Sequence, residues 1–470
     1  MSDSASRRRR WPIVAGAVVG AVAVVVVVAV VGAALWWPHG AQPSATWQPP
    51  MQTVLASSMR VAPVTGWTSR VGDLGLPDGA RIATDAQPFE SSPFVGNVGD
   101  SAYFVAGSPV PTGTQWWLVG IDVRTGDRLF APVRLDAGRA EPKCFLNGPD
   151  AVLCLRDSVA DGDVRSGTAW VVDGRSGAVS FTGPTDLRTQ PPTLRVQQVG
   201  IRAVAETASQ GVFGIGATAE TTWFVPGDGS VDQKYATTRD VAAVTVVSQS
   251  EDRASGGKVV FSVADGSVVQ LDVASDAEAE AVVVYPGGFA AAVAVDRGPA
   301  EVQFFDDSGR RTGRDGVRGV IGSGSADLPL VGLVGDGWAG YTPAGGELVR
   351  GQGDVPSESR LIGDVLFVRD HGDGMVRRWQ RYDLRTGTQG SACDHDLGAG
   401  YLGTDGSVAV IEAGNPNVGL VTRGVDLASC VDLWTIRSPI GSFRDVWRVD
   451  TTLVELSDDA SELTSLVAPG

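Results

Sequence analysis

The stretch Trp117-Leu-Val-Gly-Ile-Asp122-Val-Arg-Thr-Gly126-Asp-Arg-Leu-Phe130 decides the fold. An apolar, β-branched run enters an Asp whose carboxylate can bond turn amides, and a Gly then supplies the positive φ that closes a hairpin. An aromatic four residues later opens the next strand, where it can pack on a neighbouring sheet. The phrase recurs as Asp173-Gly-Arg-Ser-Gly177, Asp383-Leu-Arg-Thr-Gly387 and Asp426-Leu-Ala-Ser-Cys430, with Cys in the last Gly position; Phe181 and Trp434 repeat the aromatic. The first two copies are 51 residues apart and the last two 43, close to one four-stranded propeller blade. Weaker hairpins follow from Asp228-Gly229, Asp265-Gly266, Ser308-Gly309 and Gly345-Gly346, each flanked by strand-like residues such as Trp223-Phe-Val225 and Val302-Gln-Phe-Phe305.

One turn per blade places centres near 124, 175, 228, 265, 308, 345, 385 and 428, some of which can be second hairpins within a blade. The expectation is an all-β propeller of seven or eight four-stranded blades over residues 61–470. The segment Thr452–Leu456 to Leu463–Val467, around Asp458-Asp459, reads as a terminal hairpin, and a strand within Val61–Val71 is expected to help close the ring. A radial array also resolves the size problem, because each blade packs on two neighbours and no single core must grow past its limit.

The chain has 470 residues, 61 Gly and 26 Pro, and 38 basic against 54 acidic side chains. A net charge of -16 argues against nucleic acid, whose phosphates require a basic surface. Arg7 to Arg10 precede an uncharged run, Trp11 to Trp37, of 27 residues. At about 1.5 Å per residue this exceeds the roughly 30 Å of a bilayer core. The basic flank predicts a cytoplasmic tail (1–10), a transmembrane helix (11–37) and an extracytoplasmic remainder at the cell membrane, in an Arg-rich bacterium. A cleaved signal peptide and a buried core helix are the alternatives. With no cysteine before Cys144, the tether is expected to be protein rather than lipid. Residues 38–60 read as a proline-rich spacer.

An even number of cysteines outside the membrane is compatible with two disulfides. Asn147-Gly148 predicts a hairpin that sets Cys144 against Cys154, leaving Cys393 for Cys430; four free thiols are the alternative.

The repeated phrase resembles the β-propeller repeat of the pyrroloquinoline-quinone-like (quinoprotein) family, Ala-x-Asp-x-x-Thr-Gly-x-x-x-Trp. That family includes quinone-dependent dehydrogenases with a vicinal Cys-Cys pair and calcium-bound carboxylates, and also non-catalytic envelope-assembly proteins. Here no two cysteines are adjacent, so the resemblance implies the fold without the quinone site, and no cofactor is expected. Gly335-Asp-Gly337-Trp-Ala-Gly340 has dinucleotide-type glycine spacing but continues into Tyr341-Thr-Pro343 rather than a helix, and reads as propeller turns. Asp370, His371 and Asp373 with Asp394, His395 and Asp396 form the one polar cluster that adjacent strands could assemble around a metal, although solvated loops explain it as well. Asp157, Asp161 and Asp163 resemble a calcium loop but lack its Gly and terminal Glu. Trp67 and Trp338 are candidates for an aromatic loop surface. The functional expectation is a non-catalytic tethered platform for protein or cell-envelope partners; a propeller enzyme (quinone dehydrogenase or carboxylate hydrolase) and a small-ligand sensor are the rivals.

Overall fold

The computed structural model describes residues 47–470 apart from 83–91, 139, 161–162, 232–243, 252–256, 275–276, 295–299, 314–315, 323–326, 336, 370–377, 399 and 416–418. Every regular element among the described residues is a β-strand. No helix among them is long and apolar enough to cross a membrane, and the 11–37 segment lies outside them.

The strands fall in chain order into antiparallel sheets. Blade 1 (94–134), blade 2 (143–185), blade 3 (195–226), blade 7 (359–393) and blade 8 (401–437) are four-stranded, each strand pairing with the next. Blade 4 keeps a strand pair, Val246–Ser250 with Lys258–Ser262, plus a bridge from Phe261 to Val268. Blades 5 and 6 share one seven-stranded sheet. Its central strand Val317–Ile321 pairs backward with Glu301–Phe305 through Val317 and Arg318, and forward with Leu330–Leu333 through Gly319 to Ile321. Blade 9 is composite. Asp445–Val449, Thr452–Leu456 and Glu462–Val467 come from the C-terminal end, and Val64–Arg70 completes the sheet by pairing with Glu462–Val467. This supplies the expected early closing strand, so the ring leaves no open edge there.

The ring therefore has nine blades, not the seven or eight expected. Nine separate apolar clusters sit between successive blades. The one that closes the circle packs Val454, Leu456 and Leu463 of blade 9 on Phe104, Val119 and Ile121 of blade 1. The count fell short for a local physical reason. In blade 3 the left-handed residue of the last turn is not Gly but Ala219 (φ 58°), and in blade 9 the last pairing, Val64–Arg70 with Glu462–Val467, joins the two ends of the chain with no turn between them, so neither blade presents the repeat turn. Asp228-Gly229, expected as a hairpin, instead follows the last strand of blade 3, Thr221–Pro226. The hairpin at Asp458-Asp459 joins the second and third strands of blade 9, the blade that closes the ring.

Where the phrase is intact, its glycine is needed twice over. Gly126 and Gly177 have φ of 80° and 70°. A Cβ on Gly126 would fall 2.6 Å from Trp67 of blade 9, and one on Gly177 2.6 Å from Phe130 of blade 1. In both cases an aromatic at the outer strand seals against the turn glycine of the next blade, and for Phe130 this is the packing on a neighbouring sheet expected of the repeat. Trp67 also donates from Nε1 to the Val123 carbonyl at 2.7 Å. Trp338 is buried and meets Tyr382 edge-on at 5.3 Å. Both tryptophans are inter-blade packing, not an exposed aromatic surface.

Because strands alternate in direction, the first and third turns of every blade lie at one end of the ring and the second loops at the other. These ends are called the turn face and the loop face below.

Candidate functional site

The four sharp repeats lie on the turn face, and their carboxylates are engaged by their own turns. Asp173 Oδ1 accepts from the amides of Arg175 (3.2 Å) and Ser176 (2.8 Å) and from Ser176 Oγ (2.7 Å). Asp426 does the same with Ala428, Ser429 and Ser429 Oγ, and Asp383 with Arg385 and Thr386. Asp122 accepts from the Arg124 amide and guanidinium. These bonds hold all four carboxyls below the usual range. The Arg124 side chain is the main cause at Asp122, the Ser176 hydroxyl at Asp173 and the Ser429 amide at Asp426; at Asp383 the turn amides outweigh an opposing burial effect.

The repeat's arginine ties this turn to the first turn of the same blade. Arg124 meets Asp100 at 3.0 Å, Arg175 meets Asp150 at 2.8 Å, and Arg385 pairs with Asp364. Beside each pair runs a backbone bond, Val123 to Asp100, Gly174 to Asp150 and Leu384 to Asp364. In blade 8 the same backbone bond joins Leu427 to Ser407. Here Ala428 stands in the Arg position and Ser407 in the Asp position, so both members of the pair are absent together.

Both cysteine pairings take the expected partners. Cys144 and Cys154 face each other across the first hairpin of blade 2, with Cα atoms 4.0 Å apart. Cys393, at the end of blade 7, joins Cys430 in the last turn of blade 8. That second bridge fastens two blades to one another.

Only half of the histidine and aspartate cluster falls within the described residues. Asp370, His371 and Asp373 lie outside the described residues. Asp394 pairs with Arg378 (3.1 Å), His395 Nε2 approaches Asp432 (3.4 Å), and Asp396 accepts from the Gly398 amide (3.0 Å). Among the described residues no group of three metal-ligating side chains occurs. Asp157 is taken by the Thr189 amide and hydroxyl, and Asp161 lies outside the described residues. Gly337 leads into the strand Trp338–Tyr341, so the glycine pattern of 335–340 is a propeller turn.

Sequence reasoning missed the ionisable groups at the loop-face end of the blades. Asp445 begins the first strand of blade 9, and burial, with the nearby Glu412 charge adding to it, pushes its carboxyl up to about 7. Burial also raises Glu412, at the end of the second strand of blade 8, and Glu206 of blade 3. Glu206 is held by Gln197 and by the Val231 amide (2.8 Å). Arg360, on the first strand of blade 7, lies over the Tyr401 ring of blade 8 at 4.9 Å and donates to the carbonyls of Leu397 (3.2 Å) and Gly398 (3.1 Å). Burial pushes the Tyr401 hydroxyl up to about 12. No spacing rule marks these residues, because each is a single polar side chain on a different strand and only the ring brings their blades together. What they offer is one buried carboxyl whose proton affinity is raised to about 7.

Similarity to known proteins agrees with the blade count. A family model described as a conjugation-associated 9-bladed β-propeller domain matches residues 39–469. An uncharacterized protein of Mycolicibacterium smegmatis (strain MKD8) is 42% identical over 441 residues, covering 90% of this chain and 88% of that one. Among solved structures, BamB from Moraxella catarrhalis aligns at 10% identity and a TM-score of 0.41 over 86% of this chain and 100% of its own. The quinohemoprotein alcohol dehydrogenase from Comamonas testosteroni aligns at 12% identity and 0.37, over 89% of this chain and 78% of its own. The chain belongs to the conjugation-associated nine-bladed β-propeller family.

Proposed function

We propose that this protein is a membrane-tethered, extracytoplasmic binding platform that serves a conjugation-associated assembly through protein contacts rather than catalysis. The observation that carries the reading is the family match over 39–469, whose description names that association. Charge favours protein over DNA as the direct partner. Beyond residue 37 the chain has 34 basic and 53 acidic side chains, a net of -19 that repels phosphate backbones. The repeat's carboxylates are committed to their turns, which leaves them a structural role. The quinoprotein-type repeat is accordingly kept as a resemblance of fold, and the single-pass anchor as the reading of residues 11–37.

The test is genetic and biochemical together. Deleting the gene in a conjugating host should lower DNA-transfer frequency, and full-length protein should restore it. Crosslinking in intact cells, followed by purification through the propeller, should enrich a component of the transfer apparatus over an anchor-only control. Unchanged transfer with no enriched partner overturns the proposal.

A further inference from the structure

Residues 47–60, the described part of the proline-rich segment, lie along the ring. Trp47 packs into the cluster between blades 6 and 7. Gln52 reads the first turn of blade 7, donating to the Leu361 carbonyl and accepting from the Gly363 amide (3.1 and 2.8 Å). The Leu55 amide bonds Thr404 O at the first turn of blade 8, and the Ala56 amide bonds Thr451 O at the first turn of blade 9. The Met59 amide donates to Asp405 (2.6 Å), and the Met59 carbonyl accepts from Trp434 Nε1 (2.6 Å). Leu55 and Met59 are buried in the cluster between blades 8 and 9. Arg60 then approaches Asp426 at 3.9 Å, and the chain enters the closing strand. Each of these turn contacts is to a first or third turn. The strap therefore runs across the turn face, and the chain arrives at the ring from that side.

We infer that the propeller stands with its turn face toward the membrane and its loop face outward. The inference rests on residues 11–37 being the anchor. Nine residues, 38–46, separate Trp37 from Trp47, and the ten steps between them reach at most about 36 Å. The strands of blades 6 and 7 beside Trp47 run four to six residues, about 13–20 Å between the faces, so with the ring inverted the tether would spend about half its reach passing the height of a blade before it met the membrane. The outward face then carries the Asp445, Glu412 and Arg360 end of the blades.

Two single-cysteine labels on blade 1 test this, since the chain has no free cysteine of its own. Asp127→Cys lies just after the last turn, on the turn face, and Thr112→Cys in the second loop, on the loop face; both positions are exposed. Full-length protein carrying one donor dye is reconstituted into vesicles of phosphatidylcholine with anionic lipid and a headgroup-labelled acceptor. With the sites about 33 Å apart along the strand, we expect quenching about twofold greater at Asp127→Cys than at Thr112→Cys. Equal quenching, or the reverse order, overturns the orientation while leaving the anchor intact. Failure of the protein to float with the vesicles overturns the anchor reading and the orientation with it.

Discussion

Cys430 occupies a position where three other repeats have Gly, and it keeps the left-handed backbone, with φ of 58°. A side chain there costs about 1–2 kcal/mol. The bridge to Cys393 spans 37 residues. Loop-closure entropy for a ring of that size stabilises the fold by about 3.8 kcal/mol, against about 2.7 kcal/mol for the 10-residue Cys144–Cys154 loop. The Cys therefore repays its backbone cost only while the bridge is closed. Breaking it as Cys393→Ala/Cys430→Ala removes the crosslink and leaves a strained Ala. Breaking it as Cys393→Ala/Cys430→Gly removes the same crosslink and relieves the strain. Gly gives back part of that gain through its freer unfolded chain, so the second variant should be more stable by about 0.5–1 kcal/mol. Urea unfolding followed by tryptophan fluorescence compares the two, and lost packing at Cys393 cancels between them. Gly and Ala variants of equal stability, or a less stable Gly variant, would refute the reasoning.

At Gly177 the opposite substitution is severe: Gly177→Ala forces a Cβ against Phe130 at positive φ and should cost 2 kcal/mol or more in the same assay. Asp445 binds its proton more tightly folded than unfolded. Its stabilising effect is therefore full below about pH 4 and is lost as the pH rises through about 7. Asp445→Asn should melt above wild type at pH 8 and converge with it near pH 4; the ceiling is about 4 kcal/mol, reduced to about 1–2 by the side chain's partial access to water. A difference that does not change with pH would show that Asp445 is ionised in the fold. For the exposed Arg385–Asp364 pair, a double-mutant cycle should give a coupling under about 1 kcal/mol that shrinks with added salt; a larger, salt-insensitive value would contradict the view of these pairs as surface links.

The parts of the fold that could be read in advance are those in which one residue type has a single backbone job. Asp122 and Gly126 form a turn wherever they occur together, so the repeats at 122, 173, 383 and 426 were visible without any neighbour. The same holds for Asn147-Gly148, which puts Cys144 opposite Cys154. What could not be read is held by tertiary context. Ala219 and Ala460 adopt a glycine's conformation because the flanking strands impose it, and nothing in the identity of Ala reports that. The strap shows the same limit from the other side: Trp47 to Met59 has the composition of a spacer because its backbone bonds go to turns more than 300 residues away rather than to a local partner. The loop-face carboxylates are the extreme case, since Asp445 and Glu412 owe their raised proton affinity chiefly to burial, which no local spacing reports.

The joint absence of Arg and Asp in blade 8 follows from where the strap crosses. In blades 1, 2 and 7 the arginine of the last turn reaches an aspartate of the first turn, and the two turns close on each other. In blade 8 the first turn is occupied differently. Asp405 Oδ1 organises the turn through the Ser407 and Val408 amides, while its Oδ2 receives the Met59 amide. An arginine at 428 would find no aspartate at 407, and it would bring a second guanidinium to Asp426, which already faces Arg60 of the strap at 3.9 Å. Ala428 and Ser407 thus leave room for the strap. The repeat departs from its own pattern at the blade where the N-terminal segment is fastened, which ties the irregular turn, the strap and the closing strand Val64–Arg70 into one device for closing the ring.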